Sequence, residues 1–155
     1  MLLRASSKKY KSRYISKFRD ERELRKRDFM QVGGEYIAFG MVWIEDELEV
    51  IVDKGSGRRS EIVSASISLF EVVDPRVPSD WYFERIGPED PGGTPEVFKE
   101  DPVDEMIYHA PDAVMGYYEL VYSPLHRPGL FFGYEAEIAV FRQRERQLAD
   151  FYARG

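Results

Sequence analysis

The 155-residue chain has no cysteine. That excludes a disulfide framework, a thiol nucleophile and any thiolate metal site at once. Asparagine is absent too, Thr94 is the single threonine, and there are only two histidines, His109 and His126. No apolar run approaches the length of about 18 residues that a membrane span needs, so no membrane contact is expected. The basic opening has no apolar stretch behind it to act as a secretory signal, and a cytoplasmic location is expected.

What is present is ordinary globular material with one bias. Hydrophobic residues make up 43%, enough for one domain with a real core, and aromatics reach 14%. The charge is split along the chain. Residues 1–28 hold eleven Lys/Arg against four Asp/Glu, or +7, in a protein of net charge −6, which leaves −13 on the remainder. Such an asymmetry points to a charged partner.

The opening stretch fits a helix from about Ser7 to Met30, stopped at Gly33-Gly34. On a wheel of about 100° per residue, Leu3, Tyr10, Tyr14, Ile15, Phe18, Leu24 and Phe29 share one half. Lys8, Lys9, Arg13, Arg19, Lys26 and Arg27 fall in the other half. Lys11, Lys17, Arg22 and Arg25 intrude on the apolar half, where their stems can snorkel. The reading is a basic amphipathic arm over residues 1–32 on an acidic body over residues 33–155. Tyr10, Tyr14, Phe18, Lys8, Lys11 and Arg22 are its expected docking residues. The arm has three readings: docking on an acidic body, nucleic-acid binding through phosphates, and lying on an anionic membrane. The first is favoured, because the apolar half needs a partner and the body has the opposite charge. Few aliphatics argue against the membrane.

Past the glycines the period becomes two. Glu35–Ile44 reads as a buried strand and Leu48, Val50 and Val52 mark a half-buried one. Val63, Ala65, Ile67 and Leu69 alternate with Ser64, Ser66 and Ser68 in a third strand running on through EVVD. WYFERI, residues 81–86, predicts a short strand. VMGYYELVY, residues 114–122, predicts another, and so does Phe131–Phe141, where Phe132, Tyr134, Ala136, Ile138 and Val140 alternate. A short helix is predicted over Gln143–Ala153. The fold class is therefore α+β: an N-terminal amphipathic helix, a mostly antiparallel sheet of five or six strands, and a short C-terminal helix.

No motif names a chemistry. GSGRRS lacks the four-residue gap and the lysine of a phosphate loop, so it predicts a hairpin tip. His109 with Asp112 or Glu119 has no ligand spacing tied to a metal geometry, and no metal or cofactor is expected. Ser123 precedes His126 by three residues without the G-x-S-x-G elbow. Glu119 with Glu135 or Glu137 is a conceivable carboxylate pair, but spacing along the chain does not bring two carboxylates together.

The stretch from Gly87 to Glu105 is a long acidic, proline-punctuated loop of the kind that carries function. Glu96, Glu100, Asp101, Asp104 and Glu105 surround Phe98 and Tyr108, with Trp81 and Tyr82 upstream. Aromatics among carboxylates suit a basic protein partner, the rings as anchors and the charge as a guide. The expected function is a non-catalytic protein–protein interaction module, an inhibitor of the immunity or antitoxin kind. The expected partner is a basic protein or a further copy of the chain, with nucleic acid left to the arm alone. The alternatives are an assembly subunit of a virion or homo-oligomer that uses the arm, and a small hydrolase working through carboxylates or His109 and His126.

Overall fold

A computed structural model describes residues 1–6, 30–44, 47–55, 62–86 and 111–154. The predicted N-terminal helix and the acidic loop 87–105 lie outside the described residues.

Among the described residues, eight strands form two antiparallel sheets. The smaller has the order β2-β1-β6, from Leu2–Ala5 (β1), Glu35–Ile37 (β2) and Phe70–Asp74 (β6). The larger has the order β5-β4-β3-β8-β7, from Gly40–Ile44 (β3), Glu47–Asp53 (β4), Ile62–Ser66 (β5), Tyr82–Arg85 (β7) and Ala113–Gly116 (β8). Three helices follow: Tyr118–Tyr122 (α1), His126–Phe132 (α2) and Glu135–Ala153 (α3). The content is mixed α and β, as the sequence predicts.

The alternation of β3, β4, β5 and β8 in the larger sheet serves two cores. Met41, Val50, Val52 and Ala65 pack toward Met1, Leu3, Ala5, Leu69 and Phe70 of the smaller sheet. Val42, Ile51 and Val114 turn the other way, toward Tyr117, Leu120, Leu130, Phe141 and Leu148 of the helical layer. The order is thus sheet, sheet, helices. With both faces of the larger sheet covered, β3 and β4 read as near-continuous apolar runs.

Several sequence expectations are corrected. The sheet is not single. Glu35–Ile44 breaks at Ala38–Phe39, where Ala38 N–H donates to Met1 O (2.9 Å) and Phe39 N–H to Ile51 O (2.8 Å), so the chain crosses between sheets there. The run from Ile62 to Asp74 also breaks. Ser66 Oγ accepts from Ser68 N–H (3.3 Å) and starts a 3-10 turn over Ile67–Leu69, which hands the chain to β6 in the other sheet. Residues 2–5 are the middle strand of the smaller sheet, with Leu3 and Ala5 buried.

The predicted strand over residues 114–122 ends at Gly116 and becomes α1. The predicted strand Phe131–Phe141 is helical, apart from a break at Gly133. Gly133 takes a positive φ of 75° as the C-cap of α2, a conformation that glycine reaches without strain. Glu135 and Glu137 then occupy the first turn of α3, favourable against its dipole. The C-terminal helix runs 19 residues, not eleven, burying Phe141 and Leu148 at helical spacing.

Candidate functional site

Gly40 of β3 and Gly116 of β8 face each other across the ladder. A Cβ on either would run into Leu120 Cδ2. The two glycines leave a notch in the sheet, and Leu120, 1% exposed, fills it. This seats α1 close against the sheet. Tyr118 and Tyr122, one helical turn apart and on either side of Leu120 in sequence, then come against Tyr82 of the edge strand β7.

The three rings form a closed cluster. Tyr82 lies 5.6 Å from Tyr118 and 5.5 Å from Tyr122 between centroids, and Tyr118 lies 5.2 Å from Tyr122. Both Tyr82 contacts are edge-to-face, the arrangement favoured by the ring quadrupoles. The cluster is nevertheless exposed: Tyr82 42%, Tyr118 53% and Tyr122 43%. The rings touch one another, so no cation fits between them. What they offer outward is an exposed aromatic surface.

Two carboxylates lie further along the β7–β8 ladder. Glu84 shares a strand face with Tyr82, and Asp112 lies where β8 begins. The backbone of Asp112 is anchored, its N–H donating to Trp43 O (2.7 Å) and its C=O accepting from Ile86 N–H (2.8 Å). Both side chains are exposed, and among the described residues neither makes an ion pair. Glu119, by contrast, takes Arg144 in a bidentate pair at 2.8 and 2.9 Å. Burial pushes the Glu119 carboxyl up, but the Arg144 hydrogen bonds and charge outweigh it and hold it below the usual range. Arg144 is thereby committed to α1 and lies 5.8 Å over the Tyr117 ring.

Beneath α1 runs a buried hydrogen-bond chain. The Tyr117 hydroxyl is 2.7 Å from His126 Nε2, and His126 Nδ1 is 2.5 Å from Glu137 Oε2. Burial, then the nearby Glu119 charge, raises the Tyr117 hydroxyl far above its ordinary value. The Glu137 carboxylate only accepts, so Nδ1–H donates to it, and in that neutral tautomer Nε2 accepts from the Tyr117 hydroxyl. Gly129 makes this possible, since a Cβ there would come 2.5 Å from Glu137 Cγ. His126 is 0% exposed with both ring nitrogens engaged, so it offers no lone pair to a metal or substrate. The chain joins three helices to one another. A proton-holding Tyr hydroxyl and an enclosed imidazole make a structural lock.

Two further polar groups are built into the core. Glu49, 7% exposed, accepts from the Ser64 hydroxyl; burial raises its carboxyl above the ordinary range, more than the hydrogen bond lowers it. Asp53 receives Arg142 of α3 at 3.1 Å, tying helix to sheet. Among the described residues no group of three His, Asp or Glu is placed to hold a metal ion, and no helix is long and apolar enough to cross a membrane.

Of the partner-facing residues named from sequence, the structure places Tyr82 in the exposed cluster. Trp81 sits half-buried, packed against both cores. Glu96, Phe98, Glu100, Asp101, Asp104, Glu105 and Tyr108 lie outside the described residues. So do the arm residues Lys8, Tyr10, Lys11, Tyr14, Phe18 and Arg22, and His109. Tyr118, Tyr122, Glu84 and Asp112 were missed as a site. The signal was the four-residue spacing of Tyr118 and Tyr122, which only a helix turns into a neighbouring pair. Glu119 and Glu137, conceivable from sequence as a catalytic pair, are instead held separately by Arg144 and His126.

No family model, no curated protein and no solved structure matches the chain.

Proposed function

We propose that the chain is a non-catalytic interaction module, of the inhibitor kind, that docks a basic protein on the Tyr82–Tyr118–Tyr122 surface. The observation that carries this is the presence, on one edge of the sheet, of three exposed, touching tyrosines and two exposed carboxylates, Glu84 and Asp112, that make no ion pair among the described residues. A packed ring cluster loses little side-chain entropy on binding, and tyrosine is enriched among the residues that dominate interface energies. Exposed carboxylates favour a cationic partner and speed its approach. The acidic excess of residues 29–155 acts in the same direction.

The test is capture by the immobilised chain from extract of the source cell. The expected outcome is a positively charged protein, released by roughly 0.5 M salt, where screening lengths fall to a few ångströms. Tyr118→Ala with Tyr122→Ala, and Glu84→Lys with Asp112→Lys, should each abolish its capture. A protein retained equally by both double variants would refute this surface. If the only species retained is the chain itself, the assembly-subunit reading replaces it.

A further inference from the structure

The β7 strand ends the larger sheet: its one partner among the described residues is β8. All four of its residues, Tyr82 to Arg85, are exposed. Ile86 N–H donates to Asp112 O across this ladder at 2.8 Å. Successive residues of a strand point their N–H and C=O groups to opposite sides. The even-numbered residues therefore bond inward to β8, and the N–H and C=O groups of Phe83 and Arg85 face away from the sheet. An edge that no described strand covers is a template for one more strand.

The side chains flanking the edge differ by face. On the helical side lie Tyr82 and Glu84, with Tyr118 and Tyr122 against Tyr82 and Asp112 further along the ladder, opposite Ile86. On the other side Phe83 stands edge-to-face with Trp43, centroids 5.8 Å apart. An incoming strand presents its own residues alternately to these two faces. One face is aromatic and anionic, and the other carries Phe83 and Trp43 with the exposed Arg85 at its end.

We infer that β7 takes up an extended segment of the partner as a sixth strand, with cationic side chains at alternate positions over the tyrosines and carboxylates and apolar ones between them over Phe83 and Trp43. This rests on the basic-partner reading of the same surface and adds its binding mode. Main-chain bonds to Phe83 and Arg85 supply attachment, and the alternation supplies selectivity.

The probe is a synthetic eight-residue peptide of alternating Lys and Val, capped at both ends, added to the isotope-labelled full chain. Amide exchange is followed residue by residue. Expected is slowing of about tenfold or more at Phe83 and Arg85, the loss of free exchange that two new hydrogen bonds bring. Glu84, already bonded to β8, should change little. The same peptide N-methylated at alternate residues keeps its charge and side chains but cannot bond to the edge, and should bind at least about tenfold more weakly. Equal binding of the methylated peptide overturns strand addition while leaving the basic-partner reading standing. Equal binding of a Glu-Val peptide overturns the basic-partner reading itself. Amides of Phe83 and Arg85 already protected in the free chain show the edge to be covered by the protein or a second copy, and also overturn strand addition. Phe83→Pro gives an independent check, since it removes an outward N–H without touching the β8 ladder. With Tm held, it should lose the Lys-Val peptide, whereas Phe83→Leu retains it.

Discussion

Leu120 occupies the space that a side chain on Gly40 would need: a Cβ added to Gly40 would overlap Leu120 Cδ2. A strand residue and a helix residue eighty positions apart are thus fitted to each other, and the position of the tyrosine surface follows from that fit.

Gly40→Ala should destabilise the fold by about 1–3 kcal/mol, the usual cost of overpacking a closed site. The backbone of Gly40 has no positive φ, so strain is not the cause. A Leu120→Ala change should lessen the penalty of Gly40→Ala, a coupling that a double-mutant cycle in denaturant measures. Equal penalties with and without Leu120 would show that the notch is not what requires glycine.

The Tyr117–His126–Glu137 chain predicts an unequal pair of effects. Tyr117→Phe strands a buried imidazole nitrogen and should cost about 1–3 kcal/mol. Glu137→Gln still presents an oxygen to Nδ1–H and should cost less than about 1 kcal/mol. Thermal unfolding of the two variants compares them, and nitrogen NMR of His126 should find the proton on Nδ1.

Glu49 predicts a pH-dependent gain. Its carboxyl is raised in the folded state, so its stabilising contribution is complete below the unfolded value and lost as pH rises through the folded one. At pH 7 the unfolded carboxyl is ionised while burial disfavours ionisation in the folded chain, so folding carries a cost there. Glu49→Gln, which can still accept from Ser64, should add about 1 kcal/mol at pH 7. The advantage should vanish in the acid range where Glu49 is protonated in both states. A gain independent of pH would show that charge burial is not the cause.

The α-amino group of Met1 works in the opposite direction. It contacts the Tyr152 hydroxyl, and burial lowers its pKa to about 6, with Asp74 resisting and Arg76 assisting. A lowered amine costs stability when charged. The penalty is absent above its unfolded value near 8 and grows as pH falls toward 6. Between those values stability should drop by about 1 kcal/mol, a figure reduced from the full two-unit linkage because the group is partly solvated. N-terminal acetylation should flatten that part of the profile, read from denaturation midpoints at each pH.

Tests of the basic opening must spare β1. Removing residues 1–30 takes away Leu3 and Ala5, the buried centre of the smaller sheet. Such a truncation should lose native far-UV ellipticity and amide dispersion. A chain cut this way that stays folded would contradict the role of β1.

The strands easiest to read are those whose side chains obey one rule. Leu48, Val50 and Val52 share the face of β4 that packs toward the smaller sheet, and Val63 and Ala65 continue that face in β5. Harder is a place where the chain changes sheets. Nothing in the period of Ile62–Asp74 marks the turn at Ser66, because hydrophobic alternation resumes after it. The region after Phe131 misled for another reason. Ile138 and Val140 alternate by accident, while the residues that are buried, Phe141 and Leu148, lie seven apart, two turns of a helix. Glu, Ala, Gln, Arg and Leu in that stretch were the usable helix signal. In α1 the aromatic and β-branched residues favour a strand, and the docking of Leu120 overrides that preference.

By itself the order of residues determined the charge division, the mixed composition of helix and strand, and those half-buried strands whose neighbours in sequence are their neighbours in the sheet. These are properties that local chemistry states directly. The meeting of Tyr82 with Tyr118 and Tyr122, and of His126 with Glu137, was decided only when helices settled on a sheet. Close packing there depends on matched shapes at distant positions, above all a missing side chain at Gly40, Gly116 and Gly129, and no periodicity along the chain encodes a match of that kind.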